Sequence, residues 1–158
     1  MHPNEKLILD FYEAFNQKNH ELMAKSYHNQ VHFKDEVFDL QGIEVSAMWW
    51  MLCEAASSDF RIECKYVQAN ESKGVAKWEA FYTFSRTKRK VHNKINAEFE
   101  FQDGKIIKHR DRFNFWSWSQ MALGNVGLLL GWTGFLKNKI RKTAKDNLEK
   151  FMVKNQLK

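Results

Sequence analysis

His109 and Asp111 are the two residues of this chain best suited to moving a proton. They stand two apart in KIIKHRDRFNFW. In an extended segment that spacing turns both side chains to one face, with Ile107, Phe113 and Phe115 beside them. An imidazole and a carboxylate in apolar surroundings tune each other toward working pH, which suits general acid/base chemistry. The same spacing also describes a buried histidine satisfied by its neighbour, and the residues alone leave both readings open. Asp35 is the second carboxylate. The stretch VHFKDEVF reads as a strand over 31–38 with Val31, Phe33, Asp35 and Val37 on one face, where a lone acid is costly unless it is paired or used. A change of phase by one residue would put His32 there instead. Zinc takes three or four ligands, and no third joins His109 and Asp111 at a workable spacing. Neither a metal nor another cofactor is expected.

Aromatic residues are the other notable resource: 13 Phe, 6 Trp and 4 Tyr in 158 residues. Most such rings serve a core, but many rings around few polar groups also line a pocket for a ring-bearing ligand. Tyr27, Trp49, Trp78, Tyr82 and Phe113 are the candidate lining, and Tyr27, Tyr66 and Tyr82 each offer a hydroxyl. Cys53 and Cys64 lie among apolar neighbours and read as small core residues. Two cysteines make no disulfide framework and suit a reducing compartment.

The elements that must position these groups follow from periodicity. Leu7, Ile8, Phe11, Tyr12 and Phe15 mark a first helix with Asn4 as a candidate cap. A short second helix is expected over 20–28, and a third over 44–56 around MWWML. From residue 60 the period changes to two. Phe60, Ile62, Cys64 and Tyr66 share one strand face. Ala76, Trp78, Ala80, Tyr82 and Phe84 share the next. Val91, Ile95, Ala97, Phe99 and Phe101 share a third, and the His109 strand follows. NESKG at 70–74 and Asp103-Gly104 read as hairpin turns. Residues 135–158 should form an amphipathic helix, with Leu136, Ile140, Leu148 and Phe151 inward and Lys137, Lys139, Arg141, Lys145 and Lys154 in water.

Charge narrows the function classes. The net charge is +6, with 44% hydrophobic residues. All of the excess lies in 135–158, which holds eight Lys or Arg and two acids; residues 1–134 balance to zero. A neutral body with a basic tail is not the footprint of a nucleic-acid-binding domain. No signal-peptide core opens the chain. Its longest apolar stretch, 121–136, is interrupted by four glycines and falls short of a span. A cytoplasmic location is the expectation, with membrane-surface contact of the basic tail as a lesser alternative.

Three stretches carry a resemblance: LILDFYEAFNQKN at 7–19, VHFKDEVFDLQG at 31–42 and AEFEFQDGKIIKHRDRFNFW at 97–116. Their order resembles the SnoaL-like polyketide cyclases of the nuclear transport factor 2-like superfamily over about residues 5–118. The resemblance implies an α+β cone, a curved mixed or antiparallel sheet wrapped by N-terminal helices around an apolar pocket, and a homodimer formed through the sheet. Residues 1–120 would be the cone, and 121–158 an apolar glycine-rich link and basic helix appended to it. Asp111 matches the aspartate that acts as acid/base in the cyclases, with His109 beside it, and Asp35 stands near the general base of the related isomerases. The facing strand offers Ala97 and Phe99 where a second strand's histidine would be needed. The isomerases' acidic pair and the epoxide hydrolases' triad are incomplete too. The expectation is therefore a pocket for a small, largely apolar molecule, cyclic ones included. Acid/base isomerisation, cyclisation or epoxide hydrolysis is one outcome. Binding without turnover, or a dimeric interaction module whose basic helix touches a membrane or partner, is the other.

Overall fold

The computed structural model describes residues 1–157. The chain opens with α1 (Pro3–Asn16) and α2 (His20–Lys25), followed by β1 (Tyr27–Lys34), β2 (Asp39–Gln41) and α3 (Ile43–Ala55). Four strands come next: β3 (Arg61–Ala69), β4 (Lys73–Phe84), β5 (Arg89–Gln102) and β6 (Lys105–Arg112). Then α4 (Phe115–Leu123), α5 (Asn125–Leu130) and α6 (Gly134–Lys154) close the chain.

The six strands form one mixed sheet in the order β2-β1-β6-β5-β4-β3. All neighbours are antiparallel except β1 and β6, which run parallel. The expected cone is corrected here: the sheet is open, with β2 at one edge and β3 at the other and no ladder joining them. Two local features explain this. β2 is three residues long and runs straight into Gly42 and α3. The β3 backbone gives the amides of Ile62 and Ala69 to the side chains of Asn16 and Glu5, so α1 serves β3 where closure would have required a strand.

Local chemistry accounts for most boundaries. His2, not Asn4, caps α1: its ring accepts the Asn4 amide while Glu5 reaches back to the His2 amide. The Asn4 side chain instead donates to the carbonyls of Asn70 and Glu71. The β3–β4 turn is held by Asn70 Oδ1, which accepts the amides of Ser72 and Lys73. Asp103 and Gly104 both take positive φ, the geometry a tight hairpin needs.

Four expectations shift. Helix α2 stops at Lys25, because Ser26 accepts the Ile106 amide and Tyr27 already pairs with Ile106 in the sheet. Strand β1 therefore spans 27–34, and Asp35 lies in the bend beyond it. In β3 the register slips between Cys64 and Tyr66, which sends Tyr66 outward and Val67 toward the core. The stretch expected as a link is two short helices: Gly124 takes positive φ between them, and α5 lies so close to α4 that a Cβ at Gly127 would overlap the Ser119 carbonyl.

The core fills the sheet face covered by α1 and α3, where Ile8, Phe11, Met23, Phe33, Val45, Met48 and Ile106 are almost fully enclosed. Helix α6 packs on α3 and adds Leu148 to that core. Lys137, expected in water, is drawn in: it pairs with Glu36 at 2.7 Å and lies over the Phe115 ring. No helix among the described residues is long and apolar enough to cross a membrane.

Candidate functional site

Pairing places His109 at the centre of the sheet, opposite Phe33 on β1 and Phe99 on β5, while Asp111 stands opposite Ala97. The small Ala97 leaves room beside the carboxylate. His109 is enclosed by the rings of Phe11, Phe33, Trp49 and Phe99. Its side chain has no solvent exposure and that of Asp111 only 4%.

A directed hydrogen-bond chain runs through the pair. Trp49 Nε1 donates to the Tyr27 hydroxyl at 2.9 Å, and that hydroxyl lies 2.7 Å from His109 Nδ1. An indole N–H is only a donor, so Tyr27 keeps its own proton for Nδ1. The neutral imidazole then carries its proton on Nε2, which faces Asp111 Oδ1 at 3.0 Å. Trp78 Nε1 approaches the same oxygen at 3.4 Å. Burial, and then the Asp111 charge, hold the Tyr27 hydroxyl well above the ordinary tyrosine range. Tyr27 thus acts as a hydrogen-bonding link at neutral pH and not as an ionised group. Beside it the Tyr12 hydroxyl is buried with no hydrogen-bond partner within geometric reach among the described residues, and it is raised first by burial and then by the Asp111 charge.

A cavity of about 710 Å³ opens between the sheet, the C-terminal end of α3 and α6. Asp35 and Asp111 both line it, with Trp49, Trp78, Tyr82 and Phe113 among the aromatic wall. His109 stands behind Asp111 and Tyr27 behind His109; neither reaches the cavity wall. Sequence reasoning missed Asn93 and Trp118. Asn93 is a buried polar residue on the cavity wall, at an inward position of the β5 alternation. Trp118 donates to the Tyr82 hydroxyl at 2.8 Å. The signal for Asn93 was available, as the one amide interrupting an apolar stripe. Nothing in the spacing of α4 pointed to Trp118.

The two carboxylates share a design. Asp35 Oδ1 accepts the backbone amides of Val37 and Phe38 at 2.7 and 2.6 Å. Asp111 Oδ1 takes the bonds from His109 and Trp78. In each, Oδ2 has no hydrogen-bond partner among the described residues. Burial pushes the Asp35 carboxyl up to about 6 against the pull of its two amide bonds, and the Asp111 charge adds to the rise. No three His, Cys, Asp or Glu side chains among the described residues come together as a metal site.

Against known proteins, residues 8–109 match the family model of the SnoaL-like domain. The chain belongs to the SnoaL-like domain family. The SnoaL-like match stops at His109, so Asp111 and α6, which walls one side of the cavity, lie beyond it. No curated protein matches the chain. Among solved structures, a nuclear transport factor 2-like protein of unknown function from Burkholderia pseudomallei superposes with a TM-score of 0.67 at 13% identity, over 78% of this chain and 99% of that one. An LEH-like epoxide hydrolase of Mycobacterium tuberculosis gives 0.62 at 14% identity, over 81% and 96%. TerC, co-crystallised with polyporic acid, gives 0.64 at 15%, over 75% and 97%. At these identities the likeness is one of fold.

Proposed function

We propose that this SnoaL-like protein binds a small, largely apolar, ring-bearing molecule and transfers a proton on it. One observation carries the reading: two carboxylates, each with one oxygen held by the protein and the other unbonded, line a single aromatic cavity. Asp111 is the general base. Its bound oxygen is fixed by His109, and the Tyr27–Trp49 relay holds the imidazole in the tautomer that donates to it. A carboxyl raised to about 6 divides its population between acid and base near neutrality, so Asp35 is the group that returns the proton. The rings supply affinity and exclude water. The resemblance of the fold to an epoxide hydrolase and to a protein co-crystallised with polyporic acid agrees with a small-molecule ligand.

The test uses an enolisable cyclic ketone in deuterated buffer, because exchange at the carbon beside the carbonyl reports proton abstraction without knowledge of the natural substrate. The native chain should accelerate exchange, and Asp111→Asn should remove the acceleration while keeping the fold. Saturable binding of ring compounds with no exchange would leave a binding protein without turnover.

A further inference from the structure

Half of the exposed large apolar side chains among the described residues fall between Trp116 and Phe135. They gather around α5 and the start of α6. Leu129, Trp132 and Phe135 are 67%, 71% and 73% exposed. The indole of Trp132 donates to the Leu129 carbonyl at 3.0 Å and that of Trp116 to the Leu128 carbonyl at 3.2 Å, which fixes both rings against the helix. Rigid exposed aromatics of this kind are what soluble surfaces avoid unless something covers them.

Charge indicates what covers them. No Asp or Glu occurs between Asp111 and Asp146, a stretch that contains six Lys or Arg. A second acid-free stretch, 80–97, is folded against the first. At its turn Thr87 donates to the Ala122 carbonyl, and Arg89 Nε donates to the Met121 carbonyl at 2.9 Å while its guanidinium covers Gly124. The β4–β5 hairpin therefore abuts the end of α4 where α5 begins, with exposed Lys88 and Lys90 on either side of the docked Arg89. On the other side Lys139 follows Phe135 by one helical turn, exposed and without an acidic partner among the described residues. Thus an apolar centre has a cationic rim drawn from two distant parts of the chain.

We propose that α5, the turn to α6 and the β4–β5 hairpin form a docking surface for an anionic lipid bilayer. Trp132 and Phe135 enter the headgroup boundary, where amphipathic rings are favoured, and the lysines meet lipid phosphates and carboxylates. A bilayer suits this surface better than a protein partner, because exposed Lys88, Lys90 and Lys139 have no acidic partner among the described residues to set a register, and the acid at this end of α6, Glu36, is already paired with Lys137. No helix among the described residues is long and apolar enough to cross a membrane, so the contact is interfacial.

Sedimentation of the full chain with mixed phosphatidylserine–phosphatidylcholine vesicles, beside pure phosphatidylcholine vesicles, tests this. Binding to the anionic vesicles at low salt, weakened at high salt, is expected. The double variant Lys88→Glu/Lys90→Glu should lose affinity by roughly tenfold or more, since each surface cation contributes severalfold. Trp132→Ser/Phe135→Ser should also lose binding with its thermal unfolding unchanged, as both rings are exposed. The proposal is overturned by absent binding at low salt, by equal binding to both vesicle types, or by an undiminished charge-reversed variant. It is equally overturned if the serine variant turns a dimer into a monomer and leaves vesicle binding intact, which would assign the surface to a second copy.

Discussion

The Tyr27 hydroxyl and His109 Nδ1 meet at 2.7 Å inside the core, from residues 82 apart in the chain. Because Trp49 already donates to that hydroxyl, the contact sets the direction of every proton from the indole to Asp111. Tyr27 is therefore a positioning residue: it fixes which nitrogen of His109 faces the carboxylate.

Tyr27→Phe should break this relay at two points, leaving Trp49 Nε1 and His109 Nδ1 without a partner in a dry core. Each unsatisfied buried group costs about 1–3 kcal/mol, so chemical denaturation should show a loss in that range or above it. A structural role alone would end there. If the relay also holds the working tautomer, the pH profile of ketone exchange should change shape in the variant, because His109 is then free to place its proton on either nitrogen.

Asp35 gives a prediction of opposite sign. Its carboxyl moves from 3.8 to about 6 on folding, so between those values the folded chain holds a proton that the unfolded chain has released. Stability falls as pH rises through that window, and the full penalty, about 3 kcal/mol, stands above pH 6. Asp35→Asn keeps an oxygen for the amides of Val37 and Phe38 and removes the charge. Melting at pH 7.5 should show the variant stabilised by up to that amount, with little difference below 3.8. Equal melting at both pH values would show the carboxyl to be unperturbed.

These two residues also show what could be read without coordinates. The face shared by His109 and Asp111 follows from strand period, as do Trp78 and Ala80 on β4, but Ile107 does not keep to it: the β5–β6 register shifts at Phe101 and buries Ile106 in its place. Tyr27 opens β1 and Asp35 lies just past its last residue, where the local pattern is ambiguous. Apolar spacing over 20–28 fits a helix, and only pairing with Ile106, contributed from the far side of the chain, draws Tyr27 into the sheet. Asp35 is held in its bend by amides two and three residues ahead. Tyr66 faces outward through a register slip that alternation does not announce. Whether a sheet closes depends on what meets its edges, here the side chains of Asn16 and Glu5, and the strand pattern carries no record of that.

Gly127→Ala should be costly although alanine is the better helix former. The added methyl meets the Ser119 carbonyl, a backbone group held within α4, so α5 must move away. Overpacking of this kind costs about 1–3 kcal/mol or more. A variant as stable as the native chain would mean that α5 does not lie against α4.

Helix α6 lies outside the matched SnoaL-like region, and its contribution can be divided between two kinds of contact. Leu148 is 2% exposed in the main core, so Leu148→Ala should cost about 2–5 kcal/mol through lost burial and the void left behind. Toward the other end of the helix, Lys137 pairs with Glu36 and Arg141 Nε donates to the Glu36 carbonyl at 2.9 Å, which ties α6 to the bend carrying Asp35. The Lys137 pair is partly solvated and contributes at most about 1 kcal/mol, so Lys137→Ala should hardly move the melting curve. Its effect should appear at the cavity. With the clamp loosened, Asp35 gains access to water, the desolvation that raises it weakens, and its titration should move back toward the ordinary aspartate range. Carboxyl NMR of the two variants separates the roles. An Asp35 titration unmoved by Lys137→Ala would show that α6 is only a wall of the cavity and does not set the protonation of its carboxylate, whereas a large stability loss would show that the Lys137–Glu36 pair holds the fold itself.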